Sequence, residues 1–387
     1  MKTLLSKRIQ SLPPYPFAEL DRKKVALRQQ GKDLIDLSIG DPDIPTPAPI
    51  VTALQQAASR AEHHRYPPYA GTLAFREAVI RWYQKRFGVS LTLEETLTLI
   101  GSKEGIANIH YAFVNPGDCV LCPTPGYPVY ATATQFAGGE PYFMGLTREN
   151  HFLPDLKAIP ASILKRTQLM HLNYPNNPTS ATATENFFKE VVAFAKQHDI
   201  IVCHDAPYTE IYFDGKQPLS FLQTPGAKEV GIEFHSLSKT FNMTGWRLGM
   251  AVGQAAVISG LAKIKTNVDS GAFGAVQEAG VFALDHTPPL TPPLRTEWQS
   301  RRDAFAGALK KQGFEIQLPE ATFYLWMQVP KGDTSESFAS KLLEQCSVVV
   351  TPGTAFGQEA GKGYIRFALT APQERLLEAA ERIGLLG

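Results

Sequence analysis

The sequence has few cysteines, no surplus of charge and no long apolar run, and each shortage excludes a class of protein. Its 387 residues include four cysteines, too few for a disulfide scaffold. The 38 basic residues nearly balance the 37 acidic ones, and a net charge of +1 gives no field that attracts nucleic acid. No segment approaches the roughly 18 apolar residues of a membrane span, and the first residues lack the apolar core of a signal peptide. We therefore expect a cytoplasmic protein that binds neither nucleic acid nor membrane.

Two patterns resemble known ligand-binding motifs without fitting them. Cys119 and Cys122 have the spacing of a zinc-binding pair, but no second pair accompanies them. They also fall in an apparent strand, where residues three apart face opposite ways. Residues 357–363 resemble a phosphate-binding loop but lack the Ser or Thr that follows its lysine. We predict no metal site and no nucleotide-binding loop of this kind.

Apolar segments of strand length alternate with helical segments between residues 50 and 285. This alternation predicts an α/β fold whose large domain has a mostly parallel sheet flanked by helices, and a smaller α/β domain follows. In such sheets ligands bind beyond the carboxyl ends of the strands. The predicted strands are residues 34–39, 96–100, 119–122, 168–172, 200–203, 231–235, 323–329 and 347–350, and the predicted helices are residues 19–30, 102–113, 185–196 and 372–383.

Proline-rich runs mark the predicted domain boundaries. Three prolines between residues 45 and 49 precede the large domain, and the run at residues 287–293 predicts a break after it. We divide the chain into an N-terminal arm (1–14), the first part of a small domain (15–48), a large domain (49–285) and the rest of the small domain (286–387).

Residues 236–247, SLSKTFNMTGWR, carry the functional interpretation. They follow an apolar strand, so Lys239 is expected where the strand gives way to a loop. A lysine amine becomes a covalent catalyst when it condenses with a carbonyl group. Neighbouring hydroxyls and the guanidinium of Arg247 are the donors that a phosphate dianion needs. An aldehyde that carries a phosphate is pyridoxal 5′-phosphate (PLP), and the alternative for Lys239 is a solvated surface lysine.

The same segment resembles the lysine-to-arginine signature of the class I/II aminotransferases, which are PLP enzymes of fold type I. The likeness runs from about Tyr15 to Leu369 and is closest to the LL-diaminopimelate aminotransferase branch, on residues 101–105, 234–239 and 269–271. It implies ping-pong transfer of an amino group from an amino acid to a 2-oxo acid, in the first place from LL-2,6-diaminopimelate to 2-oxoglutarate in lysine biosynthesis. An aspartate, alanine or glutamate aminotransferase, a PLP-dependent carbon–sulfur lyase and a PLP-fold sensor without turnover stay open as alternatives.

The resemblance also assigns roles to single residues. Lys239 would hold PLP and move the substrate proton, and Asp205 would pair with the pyridine nitrogen. Tyr208 and Asn177 would hydrogen-bond the ring oxygen. The structural alternatives are a capping or turn role for Asp205, a turn role for Asn177, an N-cap role for Ser102 and a core position for Tyr127. The further expected cofactor contacts are Ser102, Lys103, Tyr127, Ser236, Ser238, Arg247 and Tyr66.

Substrate contacts are expected from a second set of residues. Arg366 stands inside an apolar segment, and a bidentate carboxylate is the best partner for a buried guanidinium, so we assign it the α-carboxylate; a structural salt bridge is the alternative. The family pattern adds Gly40, Tyr15 and Asn177 to the substrate pocket. Lys103 is the candidate for a distal carboxylate, with a phosphate contact or a solvated lysine as alternatives.

Three further positions bear on assembly and specificity. Tyr66 matches a tyrosine that in relatives reaches the phosphate of the neighbouring subunit, which implies a homodimer with shared active sites. Ser180 stands where the family usually has glycine, and a positive φ there would strain it. Ala70 stands where relatives tend to carry a glutamate that can hold the distal ammonium. The last two departures leave the local geometry and the choice of substrate open.

Overall fold

The structure is a computed structural model that describes residues 5–10 and 18–386. Its strands are β1 (Ile35–Asp36), β2 (Thr96–Leu99), β3 (Cys119–Thr124), β4 (Glu140–Gly145), β5 (Thr167–Asn173), β6 (Ile201–Asp205), β7 (Gly231–Ser236), β8 (Gly249–Gly253), β9 (Tyr324–Gln328), β10 (Val348–Val349), β11 (Thr351–Pro352) and β12 (Tyr364–Ala368).

The α-helices are α1 (Lys7–Gln10), α2 (Ala18–Gln29), α3 (Ala48–Ala58), α4 (Leu73–Phe87), α5 (Ser102–Phe113), α6 (Val129–Ala137), α7 (Ala161–Leu164), α8 (Glu185–His198), α9 (Ala227–Val230), α10 (Leu237–Thr240), α11 (Ala255–Val268), α12 (Gly274–Asp285), α13 (Thr287–Lys311), α14 (Ser335–Cys346) and α15 (Gln373–Gly384). Turns of 3₁₀ helix lie at Ala61–His64, Leu93–Glu95, Leu156–Ala158, Phe221–Gln223, Thr244–Trp246 and Gly353–Phe356. No helix within the described ranges is both long and apolar enough to span a membrane.

A seven-stranded sheet in the order β2-β8-β7-β6-β5-β3-β4 forms the centre of the molecule. The pairs from β7 through β6, β5 and β3 to β4 are parallel, whereas β8 runs antiparallel to both of its neighbours. The segment between β7 and β8 forms short helical turns instead of a crossover helix, so the chain returns beside β7 in the opposite direction. The predicted α/β architecture with a mostly parallel sheet is confirmed.

Both faces of this sheet are buried, because successive strand residues enter different apolar cores. Leu121 and Met170 belong to a core on one face, while Val120 and Leu169 belong to a core on the other. Helix α8 covers the first face with an apolar stripe, and the hydroxyl of its N-cap, Thr184, accepts a hydrogen bond from the backbone of the first turn. Strands buried on both faces have the continuous apolar sequences from which they were predicted.

A further apolar core, here called the C-terminal core, is built mainly from α13, α14, α15 and the remaining strands. Those strands form an antiparallel sheet, β11-β12-β9, and a parallel pair, β1-β10. Three residues of the segment after β6 also belong to this core, namely Tyr208, Ile211 and Phe213. Backbone bonds join that segment to residues 320–322, since Phe213 N–H donates to Glu320 O and Thr322 N–H to Ile211 O, both at 2.9 Å. The domain boundaries themselves stay a prediction.

Two local predictions are wrong, and several strands are shorter than predicted. The proline run at residues 287–293 is not a break, because α13 begins at Thr287. Its first prolines occupy the first turn, where a missing N–H removes no helical bond, and the Thr291 hydroxyl bonds the Thr287 carbonyl at 3.1 Å. Lys239 lies in the helical turn α10, not in a loop. The strand predicted at residues 34–39 pairs only over β1.

Candidate active site

A cavity of about 480 Å³ lies at the carboxyl ends of β5, β6 and β7. The last residues of these strands, Asn173, Asp205 and Ser236, all line it. Parallel strands bring their carboxyl ends to one edge of the sheet, so polar residues that are far apart in sequence meet there. The predicted site residues that line the cavity are Gly40, Ser102, Lys103, Tyr127, Asn177, Asp205, Tyr208, Ser236, Ser238, Lys239, Arg247 and Arg366.

Two predicted residues are not among them. Tyr66 is 87% exposed and does not line the cavity of this single chain. Tyr15 falls outside the described residues, so its predicted role stays a prediction. Ala70, which stands where relatives tend to carry a glutamate, packs against an apolar core. This position therefore provides no carboxylate.

Lys239 presents a buried amine to the cavity. Its Nζ donates a hydrogen bond to the carbonyl oxygen of Gly40 at 2.6 Å. Burial lowers the pKa of Lys239 to about 8; the carboxylate of Asp41 opposes this change, and the guanidinium of Arg366 adds to it. An amine with this pKa is partly neutral near neutral pH, and the neutral form is the nucleophile and the base.

Asp205 ends β6 with a buried carboxylate that is only half satisfied. Its Oδ2 accepts a hydrogen bond from the Tyr130 hydroxyl at 2.8 Å, while Oδ1 has no hydrogen-bond partner in the part of the chain that the structure describes. Burial raises the pKa of Asp205 to about 6, and the bond from Tyr130 and the charge of His204 act in the opposite direction. A buried acceptor left without a donor is costly, so this oxygen fits a ligand that brings a proton or a positive charge.

The residues around the start of α5 form an anion site. Backbone N–H groups are unpaired at a helix start, and Gly101 caps α5 with φ 74°. A β-carbon at Gly101 would overlap the guanidinium of Arg247, so glycine is what lets this cation approach the helix. The Ser238 hydroxyl is buried and lacks a hydrogen-bond partner among the described residues. Helix start, cation and hydroxyl together fit a phosphate group.

The arginine at the other side of the cavity fixes the orientation of Asn177. Arg366 donates from Nη1 to Asn177 Oδ1 at 2.7 Å and from Nη2 to the Ser38 carbonyl at 2.6 Å. A guanidinium only donates, so the amide oxygen of Asn177 must face it and the amide N–H₂ group faces away. The Arg366 guanidinium lies 4.3 Å from the ring centre of Tyr324 and 4.6 Å from that of Phe356. Its planar group is therefore held from several directions.

Sequence reasoning missed several residues of this site. Tyr324 and Phe356 line the cavity beside Arg366, and the Tyr324 hydroxyl lies 3.0 Å from that of Tyr208. Tyr130, the partner of Asp205, was also missed, since its contact arises only from the packing of α6. Asp41 lines the cavity as well, and its position directly after Gly40 was the one available signal. Ser180 has φ 62°, so the strain anticipated there is present.

The potential metal ligands do not gather in this fold as far as it is described. Cys119, Cys122, Cys203 and Cys346 are free and buried. The residues described contain no group of three or more His, Cys, Asp or Glu side chains that could hold a metal ion.

An amine of lowered pKa, a half-satisfied buried carboxylate and an anion site in one α/β cavity define a class of enzyme. The family described as aminotransferase class I and II matches residues 32–383. This chain belongs to the class I and II aminotransferases.

Curated relatives and solved structures agree with this assignment. The chain is 53% identical over 384 residues to the LL-diaminopimelate aminotransferase of Syntrophobacter fumaroxidans, covering 99% of each chain. It is 54% identical over 379 residues to that of Aquifex aeolicus, covering 98% of each. The structure is similar to substrate-bound BacF from Bacillus subtilis (TM-score 0.95, 38% identity, 100% and 98% coverage) and to an aspartate aminotransferase of Thermus thermophilus (TM-score 0.93, 29% identity, 100% of each chain).

Proposed function

We propose that this chain is a PLP-dependent aminotransferase that transfers an amino group from LL-2,6-diaminopimelate to 2-oxoglutarate in lysine biosynthesis. The observation that carries the general reaction is the presence of Lys239, Asp205 and Arg366 on the walls of one cavity. The particular substrate is supported by relatives of that name, which are more than half identical to this chain over nearly its whole length.

The residues present fit PLP at each of its polar groups. PLP supplies an aldehyde that carries the amino group and a pyridine ring that accepts electrons from the substrate Cα. Asp205 Oδ1 is the acceptor for the pyridine nitrogen, because it is buried and lacks another hydrogen-bond partner in the described chain. The start of α5, Ser238 and Arg247 would hold the phosphate, together with Ser236. Tyr127 would stack on the ring, while Asn177 and Tyr208 would donate to the ring oxygen.

Arg366 and Lys239 have different roles toward the substrate: the first binds it and the second transfers its proton. The Arg366 guanidinium binds the α-carboxylate through a bidentate pair of hydrogen bonds and thereby fixes the position of Cα. The Lys239 amine takes the proton from Cα and returns it to the carbon that receives the amino group. A pKa of about 8 suits both steps, because the amine exchanges its proton readily near neutral pH. In the second half of the reaction the 2-oxo acid binds to the same residues.

The distal end of diaminopimelate carries a carboxylate and an ammonium group, which call for a basic and an acidic residue on the cavity wall in addition to those already given a role. Lys103 is exposed at the start of α5, with its Nζ 5.7 Å from the ring centre of Tyr127, and we assign it the distal carboxylate. Asp41 and Asp205 are the carboxylates on the cavity wall, and because Asp205 is assigned to the pyridine nitrogen, we assign Asp41 the distal ammonium. Ala70 favours the second candidate function, an aspartate, glutamate or alanine aminotransferase, because it lacks the carboxylate that relatives tend to have.

A panel of amino donors separates these possibilities. LL-diaminopimelate, aspartate, glutamate and alanine are each supplied with 2-oxoglutarate or another acceptor, and the oxo-acid products are identified. Brisk turnover of aspartate or alanine without turnover of millimolar diaminopimelate would refute the proposed substrate and leave the aminotransferase class intact. Formation of pyruvate from cystathionine would instead identify the carbon–sulfur lyase.

The proposal includes a cytoplasmic homodimer whose subunits share their sites. It is supported by Tyr66, which is exposed and matches a tyrosine that reaches the neighbouring phosphate in relatives. Inactive Tyr66→Ala and Lys239→Ala variants, when mixed and reassembled, should recover part of the activity. In a mixed dimer one site has an intact lysine and receives an intact tyrosine from the other subunit. Mixed dimers that form but stay inactive would exclude shared sites.

A further inference from the structure

Three hydrogen bonds form a closed ring between Ser180, Thr322 and the backbone of Tyr324. The Ser180 hydroxyl donates to the Tyr324 carbonyl at 2.9 Å and lies 2.7 Å from the Thr322 hydroxyl. The Tyr324 N–H donates to Thr322 Oγ1 at 3.0 Å. Each hydroxyl has one hydrogen, and that of Ser180 is already used, so the Thr322 hydroxyl donates to Ser180 Oγ. All three residues are buried, which makes these bonds costly to lose.

The two hydroxyl residues hold their places against an unfavourable backbone conformation. Ser180 has φ 62° and Thr322 has φ 67°, in the left-handed region that residues with a β-carbon disfavour, β-branched ones most of all. Such conformations persist only where the surrounding structure holds them. Glycine would adopt the same φ without strain, but it would break the ring. The serine therefore contributes its hydroxyl at a position where its backbone is disfavoured.

The ring acts on Tyr324, which contacts three residues of the proposed site. Its hydroxyl lies 3.0 Å from that of Tyr208, and its ring centre lies 4.3 Å from the Arg366 guanidinium. Its hydroxyl also fills the space beside Gly40, where a β-carbon would overlap it. On the other side, the Ser180 N–H donates to the Asn176 carbonyl at 2.8 Å, which ties the ring to the loop that carries Asn177.

We propose that Ser180 is a positioning residue. Through the three hydrogen bonds it holds Tyr324 so that the tyrosine side chain packs on the Arg366 guanidinium and the tyrosine hydroxyl meets that of Tyr208. Ser180 is not one of the residues that line the active-site cavity, so it acts through Tyr324. The inference deepens the proposed function and rests on it to the extent that Arg366 binds the carboxylate of the substrate.

Two substitutions at Ser180 separate the hydroxyl from the backbone strain. Ser180→Gly removes both, whereas Ser180→Ala removes the hydroxyl and keeps the strain. We expect both to raise KM for the amino donor and the 2-oxo acid by about three- to tenfold, the effect of one or two hydrogen bonds, with kcat changed by less than about twofold. The melting temperature should fall further for Ser180→Ala than for Ser180→Gly. A defect shared by both variants belongs to the hydroxyl.

Substitutions at Thr322 provide the matched control. Thr322→Ser keeps the oxygen and the hydrogen of the ring and should retain the KM values of the unmodified protein. Thr322→Val removes them and should raise KM as the Ser180 variants do. A Thr322→Ser variant that is as impaired as Thr322→Val would show that the side-chain shape matters and not the ring, which would overturn the proposal.

Amide hydrogen exchange tests the ring without reference to the reaction. In the cofactor-free protein, the Tyr324 amide should exchange at least about threefold faster in Ser180→Gly than in the unmodified chain, because its acceptor Thr322 is no longer held. Unchanged exchange overturns the inference even if the enzyme is active, and so do KM values within twofold of the unmodified protein. Absence of aminotransferase activity in the unmodified chain refutes the proposed function instead, and the exchange rate still decides whether Ser180 positions Tyr324.

Discussion

Tyr130→Phe removes one hydrogen bond from the buried carboxylate of Asp205 and leaves the packing of the aromatic ring in place. The Tyr130 ring stacks on His171 with ring centres 4.8 Å apart and lies 5.9 Å from Tyr127, and phenylalanine keeps both contacts. What is lost is the 2.8 Å bond from the hydroxyl to Asp205 Oδ2. That bond favours the ionised carboxylate, so its removal raises the pKa of Asp205 further.

The size of this change follows from the strength of the bond. A hydrogen bond to a charged group contributes about 1.5–3 kcal/mol, and one pH unit corresponds to about 1.4 kcal/mol. Burial raises the pKa of Asp205 to about 6, so the carboxyl is ionised above that pH and protonated below it. In Tyr130→Phe the titration should move upward by about one to two pH units. At neutral pH about half or more of the carboxyl would then be protonated.

Carbon-13 NMR of labelled aspartate in the cofactor-free protein measures this titration directly. The Asp205 signal is assigned by its absence in Asp205→Asn, and the carboxyl shift is followed from about pH 4 to 9. PLP affinity should fall in parallel at neutral pH, because a neutral Asp205 no longer forms an ion pair with a protonated pyridine nitrogen. Tyr127→Phe, which leaves the bond to Asp205 intact, is the control. A midpoint in Tyr130→Phe that equals that of the unmodified protein would refute the electrostatic role of this tyrosine.

Four further outcomes are expected. Borohydride reduction should fix PLP to the peptide that contains Lys239, as peptide mass spectrometry would show. Asp205→Ala should retain some PLP but lose about 10²–10³-fold in kcat, the effect of one electrostatic partner at a reacting centre. Lys103→Ala should raise KM for diaminopimelate and aspartate far more than for alanine, which has no distal group. Gly101→Ala should weaken PLP binding about tenfold in a fluorescence titration, because its β-carbon displaces Arg247.

Each of these outcomes has a counterpart that would contradict it. Labelling of a different lysine would remove Lys239 from the cofactor, and near-normal turnover in Asp205→Ala would make that carboxylate structural. If Lys103→Ala raised KM for alanine as much as for diaminopimelate, Lys103 would not bind the distal carboxylate. Lys157→Ala, at an exposed lysine, is the control. Gly117→Ala has a similar positive φ but open space around it, so it controls for backbone strain in Gly101→Ala.

The helices and strands that were predicted correctly are those whose own residues show the periodicity or the apolar run of the element. Helix α5 was predicted with its observed bounds, since Gly101 precedes a continuous helical segment, and the buried strands β5 and β6 appear as apolar runs. The proline run at residues 287–293 misled, because Pro288 and Pro289 lie in the first turn, where proline is tolerated, and the helix continues through Pro292 and Pro293. Local patterns thus located strands and helices but mistook the first two turns of α13 for a break.

The candidate site divides in the same way between local motifs and tertiary contacts. Residues at or just beyond strand ends, such as Asp205 at the end of β6 and Lys239 in the turn after β7, were identified from motifs and lie in one cavity. Tyr130 and Tyr324 were not, because the first contacts a residue 75 positions away and the second one 116 positions away. No local pattern contains such contacts. The left-handed conformation of Ser180 was anticipated from its family position, but the ring that accommodates it was not.

Tyr208 belongs both to the active-site cavity and to the C-terminal core, and this has a consequence for the design of chimaeras. It lines the cavity at the end of the central sheet, yet its ring belongs to the C-terminal core, and the segment behind it is bonded to residues 320–322. The C-terminal part therefore cannot be exchanged as an independent module, since any graft that repacks its core also displaces a tyrosine of the proposed site. Chimaeras between this chain and its relatives should be joined so that residues 206–213 and 320–324 come from the same parent.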